Sequence, residues 1–247
     1  MSYEGMLAET VCMHGYQGDQ IDAYLARPLG AGPSPGIVVI HHMPGWDEST
    51  KEITRKFAHH GYASIMPNLH FREGKKSPEA NSASVRDAGG MPDDWCIGDV
   101  EGAIAYLRSL PYHNGKIGVI GYCSGGRQVY LTACKLSGID AAVSCYGGNV
   151  AAPPEALSER QPVAPIDFTE TLSCPLLGLY GKDDKRPSPA DVAKVEAELK
   201  RLGKTYEFHS YENAGHAFFS VDRPSYRPEA AVDGWEKIFD WFGRYLT

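Results

Sequence analysis

A cysteine, a carboxylate and a histidine follow short apolar runs in an order that suits nucleophilic catalysis. Cys123 lies two residues after Gly121 and two residues before Gly125. A sharp turn from a strand into a helix strains the backbone at its central residue, and flanking glycines admit the crowded neighbours. A thiol at that point also lies at a helix N-terminus, where the helix dipole favours a thiolate. The spacing therefore predicts a cysteine nucleophile, although a buried cysteine in an ordinary glycine-rich turn would fit the same residues.

A base and an acid that could activate this thiol come later in the chain. His216 lies in a loop beside Gly215, and Asp183 follows the apolar run that ends at Tyr180. We expect His216 to hold Cys123 as a thiolate and Asp183 to fix the tautomer of His216. Asp184 is the alternative acid, because the turn decides which of the two carboxylates points inward.

The elements that must position these residues are visible as alternating apolar runs and helical patterns. Strands are predicted over residues 36–41, 62–66, 116–121, 141–146, 175–180 and 206–211, and helices over 48–60, 94–110, 124–136, 190–202 and 228–245. Runs that are apolar on both faces are typical of a buried parallel sheet, and the alternating 206–211 run suits an edge. The pattern predicts an α/β fold with helices on both faces of a mostly parallel sheet. The first thirty or so residues predict an antiparallel hairpin that turns at 15–18.

Length and composition exclude some domain arrangements and some kinds of partner. The 247 residues favour a single domain, with long loops over 71–93 and 147–174 that could form a lid. Lys and Arg number 24 against 31 Asp and Glu, which argues against nucleic acid or an anionic membrane as partner. The N-terminus lacks a signal-peptide pattern and the six cysteines are scattered, so we expect reduced thiols and a cytoplasmic protein.

Four motifs resemble the dienelactone hydrolase family, also called carboxymethylenebutenolidases. Residues 111–126 resemble its nucleophile region, 211–218 its histidine motif and 181–183 its acid motif, while 98–104 resemble the helix before the nucleophile strand. The resemblance covers roughly residues 6–245. It implies an α/β-hydrolase without metal or other cofactor, a monomer or weak homodimer, that opens an enol-lactone through a thioester at Cys123.

The residues around the expected substrate depart from the family pattern. The family has a glutamate that pairs with the resting thiol, and His42 stands at that position. We expect His42 to stabilise the thiolate by charge pairing. Of two arginines that hold the substrate carboxylate in the family, one falls on Ser220, with Arg223 three residues on. Arg86 is the candidate for the other, so recognition of an acidic lactone stays open.

Other groups complete the predicted site. The oxyanion hole should use the backbone N–H groups of Ser124 and Met43. Trp46 and Tyr146 are candidates for an apolar pocket wall, although core packing would explain either of them. The doublet of His41 and His42 suggests a metal only weakly, since neighbours on a strand point to opposite faces.

The sequence therefore predicts a hydrolase that opens a small lactone or activated ester. The expected substrate is a small molecule that is cyclic or derived from an aromatic compound. One alternative is a broad carboxylesterase acting on neutral esters, which the serine at position 220 favours. Another is a non-catalytic α/β-hydrolase that binds a ligand or senses oxidants through an exposed, acidic thiol.

Overall fold

A mostly parallel sheet of eight strands runs through the computed structural model, which describes residues 5–247. Its strands are β1 (Met6–His14), β2 (Gln20–Pro28), β3 (Ser34–Ile40), β4 (Ala63–Pro67), β5 (His113–Tyr122), β6 (Ala141–Cys145), β7 (Leu176–Gly181) and β8 (Tyr206–Tyr211). Their order across the sheet is β1-β2-β4-β3-β5-β6-β7-β8. The strands from β4 to β8 in that order are parallel, while β2 pairs antiparallel with both β1 and β4. The predicted N-terminal hairpin and the edge position of β8 are both confirmed.

Six α-helices accompany these strands within residues 5–247. They are α1 (Glu48–His59), α2 (Pro78–Asp87), α3 (Asp93–Ser109), α4 (Ser124–Lys135), α5 (Pro189–Arg201) and α6 (Pro228–Tyr245). Side chains of α3, α4 and α5 join one apolar cluster, and those of α1 and α6 join a second. Within β3, Val38 belongs to the first cluster and Val39 to the second, so the sheet is covered on both faces as predicted. None of the helices in the described range is long and apolar enough to cross a membrane.

One stretch predicted as a loop contains a helix. Residues 71–93 include α2, which begins where the Ser77 hydroxyl accepts the backbone N–H of Ala80 at 3.3 Å and Pro78 occupies the first turn. Both residues are standard signals for a helix start. The stretch was nevertheless predicted as a loop because its composition is polar. The other predicted loop, 147–174, contains two short 3₁₀ segments, Pro154–Ala156 and Pro165–Thr171.

A buried carboxylate ties the N-terminal hairpin to α3 and to the turn after β4. Asp99 is fully buried on α3, and Arg72 donates to its two oxygens at 2.9 and 3.0 Å. The backbone N–H of Tyr16 donates to the same carboxylate at 2.8 Å. On its exposed side, Arg72 also donates to Asp19 at 2.8 Å. Since two ionic groups and a turn N–H satisfy one another here, removing one partner leaves an uncompensated buried charge.

We expect Asp99→Asn to destabilise the protein by about 3–5 kcal/mol, because the guanidinium of Arg72 loses its buried counter-charge. Asp19→Asn is the matched control, since it removes the exposed partner of the same arginine and should cost about 1 kcal/mol or less. Urea unfolding followed by circular dichroism measures both. Equal, small losses in the two variants would contradict the assigned role of Asp99.

Candidate active site

The turn between β5 and α4 places Cys123 in a strained conformation. Its φ of 57° and ψ of −120° lie outside the regions that residues with a side chain normally adopt. A Cβ on Gly121 would lie 2.3 Å from the carbonyl oxygen of Gly125, and a Cβ on Gly125 would lie 2.3 Å from that of Ile40. Only glycine therefore permits this turn, and the turn presses the start of α4 against the end of β3.

The carboxylate that contacts His216 belongs to Asp184. Its Oδ2 accepts a hydrogen bond from His216 Nδ1 at 2.8 Å, and its Oδ1 accepts the backbone N–H of Arg186 at 2.9 Å. The prediction that Asp183 is the acid partner of His216 was therefore wrong, and the alternative, Asp184, holds that position. The N–H of Asp184 bonds the carbonyl of Gly181 at 3.2 Å, which closes a tight turn. Asp183 stands at the corner of that turn with its side chain exposed, while Asp184 is buried beneath it.

The imidazole of His216 also hydrogen-bonds the Cys123 thiol. Burial alone would raise the pKa of Cys123. The hydrogen bond and charge of His216 outweigh that effect and, with two backbone N–H groups, hold the pKa below the ordinary thiol value. Burial would lower the pKa of His216, but the hydrogen bonds to Asp184 and Cys123 raise it to about 10. These opposite shifts both favour the charged forms, a thiolate on Cys123 and an imidazolium on His216.

Two backbone N–H groups converge on the same sulfur. One belongs to Ser124, the first residue of α4, and the other to Met43 in the loop after β3. They are the two groups that the sequence predicted for an oxyanion hole. An N–H pair that faces the nucleophile can also face the oxygen that becomes negative when the nucleophile attacks a carbonyl.

His42 has a partner that the sequence analysis missed. Its Nε2 lies 2.6 Å from Asp47 Oδ2, whereas the thiol contacts His216. Asp47 also caps α1 by accepting the backbone N–H of Thr50 at 3.0 Å. Burial would raise the pKa of Asp47, but His42 and Thr50 lower it to about 2. The signal for Asp47 was available, since an aspartate directly before the first residue of a predicted helix is a preferred N-cap.

The predicted pocket residues lie in different surroundings. Tyr146 is buried with its ring centroid 5.1 Å from that of His216, and its hydroxyl bonds Ser220. Trp46 donates its indole N–H to Met66 O at 3.2 Å, which is a packing contact. Arg86 is exposed on the last turn of α2. Among the described residues, no three His, Cys, Asp or Glu side chains are grouped to hold a metal.

A parallel sheet with a strained nucleophile turn, a His–carboxylate pair and two converging N–H groups defines an α/β-hydrolase. The family model for the dienelactone hydrolase family matches residues 21–246. The chain belongs to this family and is a hydrolase of esters or lactones.

Individual relatives agree with the family assignment. A protein of Methylorubrum extorquens, named as a candidate carboxymethylenebutenolidase, is 34% identical over 232 residues, which cover 93% of this chain and 78% of the relative. A protein of a Bradyrhizobium species, named as a candidate 2-oxo-3-(5-oxofuran-2-ylidene)propanoate lactonase, is 28% identical over 98% of each chain. A crystal structure from Klebsiella pneumoniae, described as a candidate dienelactone hydrolase, has a TM-score of 0.88 at 30% identity, over 98% of this chain and 100% of its own.

Replacing His216 by asparagine should move the alkylation of Cys123 to higher pH. Without the imidazolium, only the two backbone N–H groups oppose the effect of burial, so the pKa of the thiol rises and at least about tenfold less thiolate is present at pH 7. Iodoacetamide labelling followed by peptide mass spectrometry measures the profile, in a Cys12→Ser background because Cys12 is exposed. His209→Asn, which changes a histidine on β8, is the control. A profile that His216→Asn leaves unchanged would refute the ion pair.

The two neighbouring aspartates provide a matched pair. Asp184→Asn removes the negative charge that supports the imidazolium, so alkylation of Cys123 at pH 7 should slow by about tenfold or more. Asp183→Asn changes an exposed carboxylate one residue away and should leave the rate unchanged. The same labelling assay compares them, and the reverse ranking would restore Asp183 as the acid.

Proposed function

We propose that the protein hydrolyses a small lactone or activated ester through a thioester on Cys123. One set of contacts carries this proposal. The thiol of Cys123 is hydrogen-bonded to the imidazole of His216, and that imidazole is hydrogen-bonded to the carboxylate of Asp184. The backbone N–H groups of Ser124 and Met43 face the same sulfur. An acyl-transfer enzyme needs a nucleophile, a base with an orienting acid, and donors for the oxyanion.

In the first half-reaction, the Cys123 thiolate attacks the carbonyl carbon and forms a carbon–sulfur bond. The carbonyl oxygen becomes negative and accepts the N–H groups of Ser124 and Met43. When the carbonyl re-forms, the bond to the leaving oxygen breaks, and the imidazolium of His216 gives that oxygen its proton. In a lactone the leaving oxygen stays attached, so the ring opens.

In the second half-reaction, water replaces the sulfur. The neutral imidazole of His216 takes a proton from water as the water oxygen attacks the thioester carbon. Collapse of this second oxyanion breaks the carbon–sulfur bond, which releases the carboxylic acid and restores the thiolate and imidazolium. Asp184 keeps the imidazole oriented with Nδ1 toward itself through both steps.

The nucleophile favours substrates with a good leaving group. A thiolate leaves a tetrahedral intermediate more readily than a simple alkoxide does, so an unactivated ester would tend to return to reactants. An enolate or phenolate leaves readily, which favours enol-lactones and aryl esters over amides. The names of the relatives from Methylorubrum extorquens and Bradyrhizobium also point to unsaturated lactones.

A broad esterase acting on neutral esters is the second candidate. Ser220 stands where the family pattern has an arginine, and it bonds the hydroxyl of Tyr146 instead of providing a charge. The other candidate arginine, Arg86, is exposed on α2. These two observations weaken the case for recognition of a substrate carboxylate.

Hydrolysis of a carboxylated dienelactone should be compared with hydrolysis of a neutral aryl acetate, using the wild type and Cys123→Ala. We expect Cys123→Ala to lower turnover of the preferred substrate by about 10³-fold or more, because it removes the nucleophile. Preference for the lactone would select the first candidate, and equal or better turnover of the acetate would select the second.

Mass spectrometry of the quenched reaction should show the acyl group on Cys123. Hydrolysis that persists in Cys123→Ala would overturn the thioester proposal. Oxidation of Cys123 by peroxide, without turnover of either compound, would favour the redox alternative.

A further inference from the structure

The N–H of Met43 is part of the peptide unit that joins His42 to Met43. In a trans peptide the carbonyl and the N–H point in opposite directions within one plane. The Met43 N–H faces the Cys123 sulfur, so the carbonyl of His42 faces away from it. Whatever holds that carbonyl therefore sets the direction of the oxyanion-hole N–H.

Two donors hold the His42 carbonyl. The imidazole Nδ1 of His41 lies 2.8 Å from it, and the backbone N–H of Gly45 lies 3.0 Å from it. The Gly45 bond belongs to the loop itself. The His41 bond comes from a side chain, and it fixes the peptide plane relative to the end of β3.

His41 is itself held in one tautomer. Its Nε2 accepts the backbone N–H of Leu69 at 3.2 Å, and a nitrogen that accepts carries no proton. The ring proton must then reside on Nδ1, where it is donated to His42. His41 is 1% exposed, and the ring of His70 packs edge-on with centroids 4.7 Å apart. Burial and the neighbouring His70 hold the pKa of His41 well below its ordinary value, which keeps the ring neutral.

We propose that His41 is a positioning residue of the oxyanion hole, whose neutral imidazole orients the peptide between His42 and Met43 toward the substrate carbonyl. This inference rests on the proposed function. His41 touches neither the thiol nor the imidazole of His216 in the contacts described above, so its effect passes through the peptide plane. The first histidine of the doublet thus orients a peptide group of the site, while the second pairs with Asp47.

Two amide variants separate the two nitrogens of the ring. The amide nitrogen of His41→Asn occupies the place of Nδ1 and can still donate to the His42 carbonyl. The amide of His41→Gln reaches the place of Nε2, where it can accept from Leu69 but leaves the His42 carbonyl without its side-chain donor. We expect His41→Gln to lower kcat by about 10²-fold with KM little changed, since loss of one oxyanion donor has an effect of about 10²–10³. His41→Asn should retain most of the wild-type kcat.

Alkylation by iodoacetamide is the readout that a merely structural role would not separate. This displacement at saturated carbon develops no oxyanion, so its rate and pH profile should be unchanged in both variants. The inference is overturned if His41→Gln hydrolyses the substrate like the wild type, if the two variants lose kcat equally, or if alkylation falls together with hydrolysis.

Separate controls distinguish a variant that does not fold from a failure of the proposed function. If His41→Gln does not fold, His41→Asn decides alone: near-complete turnover supports donation from position 41, and a loss of about 10²-fold with normal alkylation overturns it. Hydrolysis that persists in Cys123→Ala overturns the proposed function and this inference together. Hydrolysis that depends on Cys123 but not on the donor at position 41 overturns this inference only.

Discussion

The steric constraint at Cys123 determines how the rest of the site is assembled. A side chain in this backbone conformation is tolerated only because Gly121 and Gly125 let the turn close against the end of β3. The same closure brings the first N–H of α4 and the loop after β3 to one sulfur atom. The order of the sheet makes this possible, since β5 lies between β3 and β6. The meeting of two N–H groups from distant segments thus depends on a contact between two main chains.

The pKa of the Cys123 thiol is set by two opposing effects, the burial of the thiol and the groups that hydrogen-bond to it. Burial acts against both charged forms, raising the pKa of Cys123 and lowering that of His216. Their mutual hydrogen bond, the buried carboxylate of Asp184 and two backbone dipoles reverse both effects. The turn at Cys123 itself provides a helix N-terminus and a backbone N–H group but no ionisable partner for the thiol. The loops after β7 and β8 supply Asp184 and His216, so the low pKa of the thiol depends on the far half of the sheet.

The sequence predicted most of the sheet and the strained turn at Cys123, because strand periodicity and the glycine spacing are local and sterically strict. It could not choose between Asp183 and Asp184, since adjacent carboxylates differ only in where a turn directs them. It missed the partner of His42, because the position of Asp47 before α1 indicates a helix cap and not an ion-pair partner. The proposed role of His41 depends on the backbone N–H of Leu69, which lies two residues after the end of β4. No pattern within one segment could reveal that contact.

His42 and Asp47 pair with each other at the start of α1. The nearby carboxylate of Asp47 is held at the N-terminus of α1, where Thr50 and His42 satisfy its oxygens. Its low pKa keeps it ionised, and its charge is offset by the imidazole and the helix dipole. A carboxylate directly on the sulfur would repel the thiolate. With that carboxylate held at the start of α1, the pKa of the Cys123 thiol is lowered mainly by the hydrogen bond and the charge of His216.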